Sequence, residues 1–159
     1  MSKATHFCAG IFLRRELDGK YQILGATSSR FPNEVKLPGG TNENAPWEDA
    51  DQTFVREFSE ETGITPVSFL TVHTEAARGH AKHFMFCREV NGQFNGPKTV
   101  KEPDGDEITI KFWDLAQFNR QLFENHRTAF MKACIVLRGV DETFSKFYPE
   151  ICERLDRGY

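Results

Sequence analysis

The sequence predicts an α/β protein, a mixed β-sheet with helices packed on it. Two observations carry that prediction. Strand-like and helix-like segments follow one another in the order strands, helix, strands, helices. The first strand-like segment is apolar on both faces, as a strand covered on both sides must be.

Taken in order, Phe7, Ala9, Ile11 and Leu13 alternate with Cys8, Gly10 and Phe12, which is strand periodicity. Leu17-Asp18-Gly19-Lys20 reads as a turn, and 21–26 as the returning strand of a hairpin. A polar loop is predicted over 28–34 and a short strand over 35–37, ended by Pro38-Gly39-Gly40. The stretch 44–62 reads as a helix, with Asn44 or a neighbour as its cap, Pro46 in its first turn and Gly63 at its end. Further strands are predicted over 67–73, 83–90 and 108–113. From Leu115 onward Phe118, Leu122, Phe130, Ala133, Cys134 and Leu137 recur at helical spacing, and Gly139 and Pro149 divide that tail into short helices.

No repeat, low-complexity block or linker divides the 159 residues, so one domain, 1–159, is expected. Net charge is −3, with 20 basic against 23 acidic side chains, which argues against a general nucleic-acid or membrane-surface binder. Cys8, Cys87, Cys134 and Cys152 are widely spaced and read as reduced, buried thiols. Met1 to His6 carry no apolar run, and no stretch is long and apolar enough for a membrane helix. A cytoplasmic protein is expected.

The chemically informative stretch is 37–64. On a helix, Trp47, Phe54, Val55 and Phe58 share a side that can pack on the sheet, while Glu57, Glu60 and Glu61 gather on a neighbouring side. On an exposed helix such a cluster costs only a few tenths of a kcal/mol, and an ordinary solvated face explains it. Within about 5 Å of one another in a cleft, each pair costs roughly 3 kcal/mol at an effective dielectric near 20. Three such repulsions approach the whole stability of a domain, about 5–15 kcal/mol. A cluster in a cleft therefore needs cations, and an oxygen-only ligand set favours Mg²⁺ or Mn²⁺.

The run Arg56-Glu57-Phe58-Ser59-Glu60-Glu61-Thr62-Gly63-Ile64 resembles the core of the Nudix box, R-E-U-x-E-E-x-G-U, where U is a bulky apolar residue. Glu48 stands at the box spacing before Arg56, and Pro38-Gly39-Gly40 precedes it as in most of the family. The box glycine would fall at position 42, which is Asn42; the nearest, Gly40, makes the loop before Glu48 two residues longer. The resemblance implies a three-layer α/β/α sandwich around a mixed sheet. It implies a pyrophosphohydrolase acting on a nucleotide derivative, with Glu57, Glu60 and Glu61 and a backbone carbonyl near Gly40 binding Mg²⁺ or Mn²⁺. Arg56 would steady one of the glutamates.

Family members differ in the carboxylate that takes the proton from water, and some use an acid on a later loop. Glu102, Asp104, Asp106 and Glu107 stand there, and Glu107 is the choice as extra metal ligand or base, against a merely solvated turn at Pro103-Asp104-Gly105. Arg14, Arg30 and Lys36 are the candidates for substrate phosphates, though each also reads as a surface charge. Phe31 or Phe84 could stack a base or belong to the core. His80 and His83, three apart on a strand, face opposite ways and do not suggest zinc. The short run by which NADH-cleaving members are known is absent. A homodimer, common in the family, would use the C-terminal helices. The alternative is a Nudix-fold binding or sensor module without catalysis.

Overall fold

A computed structural model describes residues 5–159. Part of the N-terminal stretch read above for a leader lies outside the described residues. The first strand, β1 (Thr5–Ile11), passes through Phe12 directly into β2 (Leu13–Arg15). β3 (Tyr21–Ser28), β4 (Phe31–Lys36) and β5 (Gly39–Thr41) precede the first helix, α1 (Ala50–Thr62). β6 (Thr65–Ala77), β7 (His80–Asn91), β8 (Lys98–Lys101) and β9 (Glu107–Asp114) follow. The chain closes with α2 (Leu115–Gln121), a 3₁₀ turn at Glu124–His126, α3 (Arg127–Val140), α4 (Phe144–Phe147) and α5 (Pro149–Asp156).

The strands form two sheets. One has the order β5-β1-β7-β6, with β1 and β7 parallel and the other pairs antiparallel. The other runs β2-β3-β9-β8, with β4 also on β3, and is antiparallel throughout. The continuous β1–β2 strand belongs to both, and at the crossing Phe12 its carbonyl accepts the Leu24 N–H at 3.1 Å.

Strand alternation sorts the side chains into two cores. Cys8, Leu24, Met85 and Ile110 face one way and pack with Phe54 and Phe58 of α1. Ala9, Ile23, Phe84 and Trp113 face the other way and pack with Phe118, Phe130 and Cys134 of the C-terminal helices. The result is the three-layer α/β/α sandwich, and the apolar character of both faces of β1 follows from it. Among the described residues no helix is long and apolar enough to cross a membrane.

Several boundaries differ from the sequence reading. Residues 31–36, read mostly as loop, form β4: Pro32 is tolerated in a strand that pairs with β3 through a bulge, at Ser28–Phe31 and Ala26–Lys36. Pro38-Gly39-Gly40 does not simply break the chain, because Gly39 and Gly40 pair with Ala9 and Cys8. The helix begins at Ala50, not near Asn44. Asp49 caps it in a capping box with Gln52, at 2.8 and 2.9 Å, and Gly63 ends it with φ 77°. Trp47 therefore lies outside the helix and is 69% exposed, so it does not pack on the sheet. β8 has no apolar alternation strong enough to announce it. Gly139 does not interrupt the tail but lies in the last turn of α3, while Pro149 opens α5.

Two long-range polar contacts tie the C-terminal helices to the sheets. The buried Tyr148 hydroxyl accepts the Tyr21 N–H at 2.6 Å. His126, 5% exposed, accepts the Leu37 N–H on Nδ1 at 3.0 Å. Burial, with the charges of Lys36 and Lys82, pushes the His126 pKa down to about 3.

Two outcomes are expected. A Cβ on Gly10 would stand 2.7 Å from atoms of both Phe54 and Phe58. Gly10→Val is therefore expected to destabilise the protein by about 1–3 kcal/mol or more in urea denaturation. The depressed His126 pKa means that its contribution to stability is complete above pH 6.5 and is lost as pH falls toward 3. Urea midpoints between pH 7 and 4 are expected to fall with a His126 component of up to about 1.4 kcal/mol per pH unit. His126→Gln is expected to flatten that slope.

Candidate active site

The carboxylates of α1 meet the backbone of β5. Gly39 donates its N–H to Glu61 Oε2 at 2.6 Å. Gly40 lies against Glu57, so close that a Cβ there would overlap the carboxylate. At Gly39 a Cβ would overlap the backbone of β1. Glycine at both positions is a matter of space, since the strand must slip between β1 and a carboxylate face.

Arg56 organises the rest. Its Nε and Nη2 grip the two oxygens of Glu48 at 2.8 and 2.9 Å, a bidentate pair that also holds the loop before the helix. Nη1 donates to Glu57 Oε1 at 2.7 Å and Nη2 to the Thr41 carbonyl at 3.1 Å. Glu60 is reached at 3.4 Å and its side chain is 61% exposed. The loop with Asn42 in the expected glycine position is closed by that residue's own side chain, since Oδ1 accepts the His6 N–H at 2.6 Å.

The electrostatics follow the geometry. The Arg56 hydrogen bond holds the Glu48 carboxyl below its usual range. Burial raises Glu57, with Arg56 opposing. Burial pushes Glu61 up to about 8; the Gly39 amide opposes the rise, and the charges of Glu57 and Glu102 add to it. A carboxylate this reluctant to ionise beside a second carboxylate is a place where a cation would be stabilising. Among the described residues no three His, Cys, Asp or Glu side chains form a ready-made metal cluster.

The cleft beside this face holds about 230 Å³ and is lined by Gly39 and Glu61 with Arg30, Lys36, Asp106 and His126. Arg30 pairs with Asp104 at 3.2 Å, and the Lys36 ammonium rests 4.5 Å over the Phe123 ring. Arg14 is elsewhere: it bonds Gln22, pairs with Glu16 and stacks 3.9 Å over Phe112, against a pocket lined by Phe12 and Phe94. Its place on β2, on the far side of Phe12 from β1, accounts for the separation.

Of the later acids, Glu107 is not brought to the carboxylates. It begins β9 in the alternate register to Ile108 and Ile110, which face α1, and its backbone is tied to Ser29. Glu102 is the acid whose charge acts on Glu61, and Lys98 is anchored to the Glu60 carbonyl at 3.1 Å. Asp106 holds the β3–β4 turn, accepting from Ser28 at 2.7 and 2.8 Å and from Ser29 at 2.7 Å. Phe31 lines the cleft, whereas Phe84 is fully buried. His83 bonds His6 at 3.3 Å. Sequence reasoning missed His126 and Lys98, which sit in no motif and reach the site only through the fold.

The profile of the NUDIX domain matches residues 4–134. No curated protein matches the chain by sequence. Among solved structures, MutT as described for Aliivibrio salmonicida and Vibrio cholerae is 23% identical, over 80% of this chain and 94% of that one, with a TM-score of 0.58. The MutT Nudix hydrolase of Burkholderia pseudomallei is 23% identical, over 80% and 95%, with a TM-score of 0.57. A Chromobacterium violaceum protein assigned to the Nudix hydrolases is 20% identical, over 100% and 99%, with a TM-score of 0.52. These likenesses are likenesses of fold, and the profile, which spans β1 to α3, supplies the family: the chain belongs to the NUDIX domain family and is a Nudix hydrolase.

Proposed function

We propose that the protein is a divalent-metal-dependent pyrophosphohydrolase that cleaves a nucleotide derivative by attack of water on phosphorus. The observation that carries this reading is the closeness of Glu57 and Glu61 to the β5 backbone, Gly39 N–H lying 2.6 Å from Glu61 and Gly40 leaving open the space beside Glu57. Glu57, Glu60 and Glu61, with the Gly40 carbonyl, would hold Mg²⁺ or Mn²⁺, and these hard oxygen donors suit either ion. When bound, the ion would neutralise charge on the diphosphate oxygens and make water a stronger acid.

The protein's own groups divide the remaining work. Arg56 positions Glu57 and, through Glu48, fixes the loop that precedes the helix. Arg30 and Lys36 bind phosphate oxygens from the cleft wall. One P–O bond forms to water and one bridging P–O bond breaks, giving two phosphate-bearing products, while a carboxylate takes the water proton. Glu61, which lies beside Glu57 against the β5 backbone, and Glu102, whose charge reaches it, are candidates for that role ahead of Glu107. The whole chain acts as one domain. Its four free, buried cysteines suit a cytoplasmic location.

A panel of nucleoside triphosphates, nucleotide sugars, ADP-ribose and dinucleoside polyphosphates, with Mg²⁺ or Mn²⁺, tests the activity. Metal-dependent release of two phosphorylated products is expected, and Glu57→Gln and Glu61→Gln are each expected to lower kcat by about 10²–10⁴-fold. Unchanged turnover in both variants would remove the proposed roles. Independently of turnover, Mg²⁺ at a hundredfold excess over its Kd is expected to stabilise the parent by about 2.7 kcal/mol. The thermal shift is expected to shrink in both variants; an equal shift in all three proteins would place the ion elsewhere.

A further inference from the structure

The cleft continues past the carboxylates into an outer lobe of about 430 Å³. The two lobes share Phe7, Lys36 and His126. The outer lobe adds Arg78 and Lys82, against the one carboxylate of Glu43. Cation excess in a concave site attracts anions.

Among the described residues none of these cations is paired with a carboxylate. Arg14, Arg15, Arg30 and Arg56 each have a carboxylate partner, whereas among the described residues Arg78 has none. Lys36 is held by the Phe123 ring rather than by an acid. The β6–β7 hairpin, paired up to its tip at Arg78-Gly79, carries Arg78 and Lys82 to the lobe.

His126 supplies a directed donor. Its Nδ1 accepts the Leu37 N–H, so the proton of the neutral ring sits on Nε2. Among the described residues no buried side-chain nitrogen or oxygen lacks a partner, and Nε2 has no protein partner, so it opens into the cleft. The charges of Lys36 and Lys82 both bear on this ring, which places them around the same point.

The geometry points to an anion subsite in the outer lobe, where His126 Nε2–H, Lys36, Lys82 and Arg78 bind a phosphoryl group other than the two joined by the scissile bond. The substrate class is then a nucleotide derivative with at least three phosphoryl groups, the third either on the polyphosphate chain or on the sugar. This assignment rests on the pyrophosphohydrolase reading for the position of the scissile bond, but the subsite itself is measurable without turnover.

Calorimetry in EDTA with a nucleoside 5′-monophosphate, 5′-diphosphate, 5′-triphosphate and 3′,5′-bisphosphate is the test. The triphosphate is expected to bind about tenfold or more tightly than the diphosphate, or the bisphosphate than the monophosphate, a difference of about 1.4 kcal/mol. A gain with the triphosphate assigns the group to the chain, and a gain with the bisphosphate to the sugar. The double variant Arg78→Ala/Lys82→Ala, altered only at the rim of the lobe, is expected to lose the gain, and Arg157→Ala, a surface cation elsewhere, to keep it. The tighter ligand is also expected to move the His126 ring N–H resonance. Affinity unchanged in both comparisons, or a gain that survives the double variant, overturns the subsite. Preferential binding with no cleavage in Mg²⁺ or Mn²⁺ leaves the subsite standing and removes the hydrolase reading; cleavage without preferential binding does the reverse.

Discussion

The approach of the β5 backbone to the carboxylate face of α1 is the constraint on which the site depends. A main-chain N–H delivered to Glu61 at 2.6 Å requires a strand without side chains on that flank, which Gly39 and Gly40 provide. It also requires the helix to be fixed in rotation. Phe54 and Phe58 do this from below by filling the core between the sheets and α1, and Arg56 does it from above by joining Glu48, Glu57 and the Thr41 carbonyl. Apolar packing sets the height of the helix, and one guanidinium sets which acids are brought to the cleft. The arrangement crowds negative charge, and burial makes that crowding more costly than it would be in water.

The helix and its acids were legible in the sequence because both depend on local spacing. A capping residue, an aromatic stripe and a terminal glycine specify α1 whatever surrounds it, although the cap proved to be Asp49. The errors came where backbone pairing, not side-chain pattern, decides structure. Phe31–Lys36 and Lys98–Lys101 are strands with little apolar alternation, held by ladders to β3 and β9. Trp47 keeps the spacing of the helix stripe but precedes the cap Asp49, so it lies outside the helix and in solvent.

The cleft wall was legible only in part for a related reason. Arg30 and Lys36 stand close to the box in sequence and in space. Arg14 is close in sequence, but the chain passes from one sheet to the other at Phe12 and carries it away. Glu107 and Glu102 differ by five positions, and strand parity with the β8–β9 turn decides which of them acts on Glu61. His126 comes from the far end of the sheet–helix order and arrives beside Leu37 through a contact spanning 89 residues. No periodicity reports such a contact.

The hydrogen bond from Tyr21 to Tyr148 spans 127 residues and joins the segment matched by the family profile to a residue beyond it. A hairpin made early in synthesis thus carries a main-chain donor whose buried partner is translated 127 residues later. Chain growth places the N-terminal strands in water long before α5 exists, and the parallel pairing of β1 with β7 must also wait for residue 80 and beyond. Until Tyr148 has been made, the Tyr21 N–H has only water as a partner, so this seal on the sandwich forms after every strand of both sheets has been translated.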